Sequence, residues 1–269
     1  MRLLLGVLAV LAGCLCIYDD LSGAELRSKL YRDTYWRHHE TLGYSDARAY
    51  MYGAIDNLDD AVYGIYTDLR MPYAYNNYTM SVDTQTEAET EAEREVEPTE
   101  PLTGGSINCE HIVPQSFFNK KDPMVSDVHH LRPAESRANS ARNHFPFEQI
   151  ADEDVKQWFY QDVISTAIPP ESDIANWSRL RDSQDAWEPR DEARGTIARA
   201  VLYFYTMYSQ FLDEMDRIGD VNMFIQWNND HPPSQWDMDR NDRAEFYQGN
   251  RNPYVDNPEL CERAFEDMI

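Results

Sequence analysis

The sequence predicts an α+β fold: a mostly helical single domain around a small ββα core. Three observations predict it. The chain has 269 residues, 42% of them apolar, with 17 Tyr, 10 Phe and 6 Trp, enough to fill a sizeable core. Helical spacing of apolar residues recurs through the second half. Short β signals occur where histidines cluster, between Asn108 and Phe147.

The N-terminus reads as a targeting segment. Arg2 precedes an apolar run from Leu3 to Ala12, too short to span a bilayer but suited to a signal-peptide core. The run ends Leu11-Ala12-Gly13-Cys14, which resembles a bacterial lipobox, with Cys14 as the lipidated residue. The other reading is an ordinary secretory signal in which Cys14 is incidental. Residues 1–16 are assigned to this signal and 17–269 to the domain. An exported chain permits disulfides. A bridge between Cys109 and Cys261 and a pair of buried free thiols are both open.

Ser22-Gly23 opens a helix with apolar positions at Leu26 and Leu30. Ser45 reads as the N-cap of a second. Ala61 to Thr67 is β-branched and aromatic, a candidate strand. Asp83 to Glu100 holds eight Asp/Glu, one Arg and no large apolar residue beyond Val96, so it reads as a solvated acidic insert. Ala151–Ala167 is expected to be helical and Pro169 to Arg190 a loop. Asp191–Gln210 is the strongest helix, with Ile197, Val201, Leu202 and Tyr205 on its core face. Asp220–Trp227, Trp236–Gln248 and Pro258–Met268 give three more helices.

The net charge of −24 argues against a protein that coats nucleic acid. Its distribution is uneven. Between Ser106 and Phe147 five Lys/Arg face four Asp/Glu, leaving that stretch at +1 and the rest at −25. This stretch carries Asn108-Cys-Glu-His-Ile-Val-Pro-Gln-Ser116, Ser126-Asp-Val-His-His-Leu-Arg-Pro133 and Asn139-Ser-Ala-Arg-Asn-His-Phe-Pro-Phe147.

Hydrolysis of a phosphodiester needs a base active near neutral pH, oxygen ligands for a hard cation, and cations for phosphate. Glu110-His111 on a short strand ended by Pro114, a returning strand at His130–Arg132, and a helix opened by Pro133 would make a ββα unit. On that helix Glu135, Asn139, Arg142 and Asn143 share a face. Glu110 and the Asn139 carbonyl are the candidate ligands for Mg²⁺, with Mn²⁺ or Ca²⁺ as substitutes. His111 stays unligated and takes a proton from water. No His-Glu-x-x-His occurs, so a zinc protease is not supported.

These segments resemble the bacterial endonuclease I family of exported ββα-metal, or His-Me finger, nucleases. The resemblance extends to Trp187-Glu-Pro189, Arg194-Gly-Thr-Ile-Ala-Arg-Ala200 and Gln248-Gly-Asn-Arg-Asn-Pro-Tyr-Val-Asp256. It implies His111 as general base, Glu110 and Asn139 as metal ligands, and DNA, often RNA too, as substrate, cut with little sequence preference to leave 5′-phosphate ends. Some family members place a phosphate-stabilising Arg between the Glu-His pair and the Ser-Asp segment. Here that stretch has only Lys120 and Lys121, so Arg132 or Arg142 is expected to serve. Lys120, Lys121, Arg137 and Asn143 are the expected substrate contacts, and His129 and His130 either support the site or belong to the core. A monomer without a protein partner is expected. The rival reading is a non-catalytic surface lipoprotein that binds divalent ions on a degenerate nuclease fold.

Overall fold

A computed structural model describes residues 18–73, 107–183 and 185–269. The expected signal segment with Cys14 and Cys16, and the expected acidic insert at 83–100, lie outside the described residues.

Two N-terminal helices come first: α1 (Gly23–Leu30) and α2 (Tyr44–Tyr50). Each continues into a wider helical turn, at 31–35 and 51–55. Helix α2 starts two residues earlier than expected, with Gly43 rather than Ser45 at its N-cap. Gly43 has φ 79°, a left-handed conformation that serine seldom adopts. Strands β1 (Ala61–Tyr63) and β2 (Arg70–Pro72) form a short antiparallel ribbon.

The motif region folds as β3 (Ile107–His111), β4 (Leu131–Glu135) and α3 (Ser136–Arg142). The two strands are antiparallel, with Glu110 opposite Arg132 and Cys109 opposite Pro133. Pro133 thus lies within the strand instead of opening the helix. A two-stranded ribbon has edges on both sides, where a missing N–H costs least. Glu135 ends β4 and caps α3, its carboxylate accepting the Ala138 N–H at 2.9 Å. Asn143 is the C-cap with φ 53°, so neither residue lies on the helix face expected for it.

The expected helix at 151–167 is instead a hairpin of β5 (Val155–Tyr160) and β6 (Val163–Ser165). Its two-residue turn puts Gln161 at φ 49°. The supposed loop to Arg190 supplies β7 (Ser178–Arg181) and β8 (Trp187–Glu188), giving an antiparallel sheet in the order β6-β5-β7-β8. β-branched and aromatic residues in Val155-Lys-Gln-Trp-Phe-Tyr160 carry the strand propensity that the helical reading passed over.

Helix α4 (Asp191–Met207) is the axis of the molecule. Ile197, Val201, Leu202 and Tyr205 are buried, but so is every residue from Ile197 to Met207. A helix buried on all sides is a central one, not one lying on the surface. Gly195 permits this: a Cβ there would meet the His231 carbonyl oxygen at 2.1 Å. Helices α5 (Val221–Asp230), α6 (Gln235–Gln248), α7 (Pro253–Asp256) and α8 (Leu260–Ala264) complete the fold. Asp220 caps α5, and a reciprocal Ser234–Asp237 pair caps α6.

Two apolar clusters result. The larger surrounds α4; the smaller joins α2, β1, β2, β4 and α6 through Met51, Val62, Met71, Leu131 and Ala244. Cys261 belongs to the first and Cys109 packs at the edge of the second, and both are free thiols. The pairing of Cys109 with Cys261 is therefore not formed.

Candidate active site

Glu110 and His111 end β3, and both are buried. The strand stops because the chain turns at Pro114 into a short helical turn at 115–118. The next turn, Met124–Ser126, folds back over the strand end. There the imidazole Nε2 of His111 lies 3.0 Å from the Val125 carbonyl oxygen. A carbonyl can only accept, so Nε2 carries the proton and Nδ1 keeps its lone pair. Nδ1 is buried and has no hydrogen-bond partner. Burial holds the imidazole pKa down to about 3, helped by His130, Arg48 and Arg142 and opposed by the Val125 carbonyl. His111 is thus a neutral base with one unused lone pair.

Glu110 faces a different set of partners. The Tyr66 hydroxyl donates to its Oε1 at 2.6 Å, and Arg142 Nη1 lies 3.5 Å from the same oxygen. Burial raises the Glu110 pKa, while Arg142, Tyr66 and the His111 N–H pull it back. On the first residues of β3 lies α3. Asn139 Nδ2 donates to Asn108 Oδ1 at 2.7 Å and sits 3.5 Å from the Cys109 carbonyl. With its nitrogen so committed, Asn139 has Oδ1 left as an acceptor.

One buried carboxylate and one amide oxygen are hard donors, few in number. Among the described residues no three His, Cys, Asp or Glu gather as a metal cage. Such a pair fits a cation that keeps most of its own water, as Mg²⁺ does.

The profile of the family described as Endonuclease I matches residues 22–259. The chain belongs to the endonuclease I family. It is 31% identical to an extracellular ribonuclease of Bacillus subtilis (strain 168) over 185 residues, covering 61% of this chain and 57% of that one. A periplasmic deoxyribonuclease of Aeromonas hydrophila is 28% identical, with 57% and 54% covered. An extracellular deoxyribonuclease of the same organism is 35% identical, with 57% and 56% covered. The chain spans just over half the length of these relatives.

The other expected site residues of this endonuclease I chain are scattered. Arg142 reaches Glu110 but is almost wholly buried, donating to the Ile112 and Asn143 carbonyls and lying over the Phe147 ring. Arg132 is engaged elsewhere. Its guanidinium turns to the carbonyls of Val128, His129 and Leu131, and its charged neighbours are Arg240, Asp56, Asp237 and Arg199, not Glu110. Arg137 pairs with Glu135 and the Asp162 carbonyl. Asn143 lies beside His144 Nδ1 at 2.8 Å. Lys120 and Lys121 are exposed on the turn after Phe118.

His129 and His130 are core residues. His129 Nε2 bonds the Asn250 carbonyl and His130 Nε2 the Met124 carbonyl; burial lowers both pKa values, that of His129 to about 4. His130 also has an unpartnered Nδ1, and its ring packs among Phe118, Phe204 and the His111 ring, 5.5 Å away.

Three residues at the site went unread in the sequence: Tyr66, Tyr44 and Arg48. The Tyr44 ring lies 5.3 Å from the His111 ring, and the Arg48 guanidinium lies over Tyr44 at 4.6 Å. All three come from 45–67 residues upstream of His111 and carry no local signature. The helical spacing of Tyr44 and Arg48 marks one face of α2 and nothing more.

Proposed function

We propose that the chain is an exported endonuclease that hydrolyses phosphodiester bonds of DNA and RNA with little base preference. Glu110 and Asn139 hold Mg²⁺, with Mn²⁺ or Ca²⁺ as substitutes. The cation, when bound, stabilises charge on the phosphate and on the leaving oxygen. His111 Nδ1 takes a proton from the attacking water. The new P–O bond forms in line with the breaking bond to the 3′-oxygen, which leaves as a hydroxyl after gaining a proton from solvent. A 5′-phosphate end remains. Arg142 and Tyr66 fix the Glu110 carboxylate from beneath.

The observation that carries this reading is the unused, buried Nδ1 of a neutral His111 next to Glu110. Its lone pair, one residue along the strand from the Glu110 carboxylate, can accept a proton from water. The names of the relatives support both nucleic acids as substrates and an extracytoplasmic location, the location that a signal reading of residues 1–16 also predicts. Plasmid nicking and RNA cleavage with and without EDTA test the proposal. Metal-independent cleavage, or none, would overturn it.

A further inference from the structure

We propose that Asn108 is a positioning residue: it turns the Asn139 side chain so that the amide oxygen, and not the amide nitrogen, is presented to the cation. This rests on the nuclease reading above, in which Glu110 and Asn139 hold the metal. Residues two apart on a strand point to the same side. Asn108 and Glu110 therefore share one face of β3, and His111 takes the other. Residues three apart on a helix also share a face, as Asn139 and Arg142 do on α3. The two faces meet in two rungs. Asn139 Nδ2 donates to Asn108 Oδ1 at 2.7 Å, and Arg142 Nη1 lies 3.5 Å from Glu110 Oε1. The two candidate ligands thus stand on neighbouring rungs, and Asn108 makes the contact that sets the first.

An asparagine amide has one accepting end and one donating end of nearly equal size. Only the oxygen can ligate a hard cation, and the N–H end repels it. Shape alone does not select between them, so a partner must. Asn108 is an amide too and could itself turn over. If it donated, it would consume the oxygen that the cation needs. The Cys109 carbonyl removes that freedom. It lies 3.5 Å from Asn139 Nδ2 and can only accept. Two acceptors on β3 therefore face the nitrogen, and Oδ1 is the end left over. Partners that orient a metal ligand in this way are worth about 10–100-fold in metal affinity.

The test uses the full chain and Mn²⁺ alone. Binding is read by electron paramagnetic resonance, and folding by melting in EDTA. Asn108 is half-buried, so truncating it leaves no sealed cavity. Asn108→Ala is expected to weaken Mn²⁺ binding about tenfold or more while the melting point stays close to wild type. Asn108→Leu, which keeps the volume and has no acceptor, should behave as Asn108→Ala does. Asn108→Asp, which can only accept, should bind Mn²⁺ at least as tightly as wild type. The deciding measurement is the loss of the acceptor in the Asn139→Ala background. With the Asn139 amide gone, Asn108→Ala or Asn108→Leu should have no further effect on Mn²⁺ affinity. A residue that merely supports β3 would weaken binding equally in both backgrounds. That result, or wild-type affinity in Asn108→Ala, overturns the assignment and leaves the nuclease reading standing. A wild-type chain that binds no Mn²⁺ would overturn the metal-dependent reading, and the assignment with it.

Discussion

Two buried polar regions flank the turn at 124–130, and they are built on opposite principles. The Asp127 carboxylate itself is fully hydrogen-bonded, although the buried His39 Nε2, 3.9 Å from its Oδ2, has no hydrogen-bond partner. The Tyr203 and Tyr208 hydroxyls donate to Oδ2, and the His129 N–H and the Gln248 amide to Oδ1. Gln248 also accepts the Val128 N–H, and Asn250 donates to Tyr203. Around His111 the accounts stay open: Nδ1 has no partner, and Glu110 is a buried carboxylate held by a tyrosine and a distant arginine. A satisfied network specifies a fold, whereas an unsatisfied one is kept for chemistry. The two regions meet at the turn itself, since Val125 and Met124 give their carbonyls to His111 and His130 while Asp127 is anchored behind them.

The sharpest way to break this contrast is to remove its two centres separately. His111→Ala should fold and bind Mg²⁺ but lose roughly 10²–10⁴-fold in kcat. Single-turnover cleavage beside calorimetric metal titration checks this. Near-normal turnover would remove His111 from the mechanism. Asp127→Ala should act in the opposite sense. It strands four buried donors and is expected to cost about 3 kcal/mol or more of stability. Denaturant unfolding measures it. A normal midpoint together with lost cleavage would mean that Asp127 belongs to the chemistry, not the scaffold.

Tyr66→Phe probes the border between the regions. It deletes one hydroxyl donating to Glu110 at 2.6 Å and leaves the ring packed on Trp187. Ligand-orienting partners of this kind are worth about 10–100-fold in metal affinity. A weaker Mg²⁺ isotherm with a nearly unchanged melting point is expected. Wild-type affinity would show that Arg142 alone suffices to hold the carboxylate.

What could be read in the sequence divides along the same line. Glu110, His111 and Asn139 were legible because the ββα unit is local: strand, return strand and helix lie within residues 107–142. The second half of the site was not. Tyr66, Tyr44 and Arg48 reach His111 and Glu110 only after α2 and the 61–73 ribbon have packed against the motif. Arg132 was expected at the site because the stretch before it holds no arginine, but its side chain turns to backbone carbonyls near Asp56 and Asp237. The β5–β8 sheet was missed because short strands with mixed burial lack a clean period of two.

The smallest expected effect concerns charge rather than contacts. The motif stretch is near neutral while the rest of the chain carries −25. At low ionic strength that body repels DNA, and salt with a Debye length of about 8–10 Å screens the repulsion while sparing contacts of a few Å. The segment Asp83–Glu100 contributes eight carboxylates and one arginine, a net −7, so its deletion takes the chain from −24 to −17. Its composition has almost nothing to bury, so melting should be unchanged within a few degrees. Encounter should change modestly: kcat/KM on a duplex is expected to rise about two- to fivefold at 20 mM salt and to match wild type above about 0.3 M. Stopped-flow cleavage across a salt series at fixed free Mg²⁺ reads both limbs. A gain that persists at high salt would mean that the segment obstructs the His111 site by its bulk, and a large drop in melting temperature would mean that it packs on the fold after all.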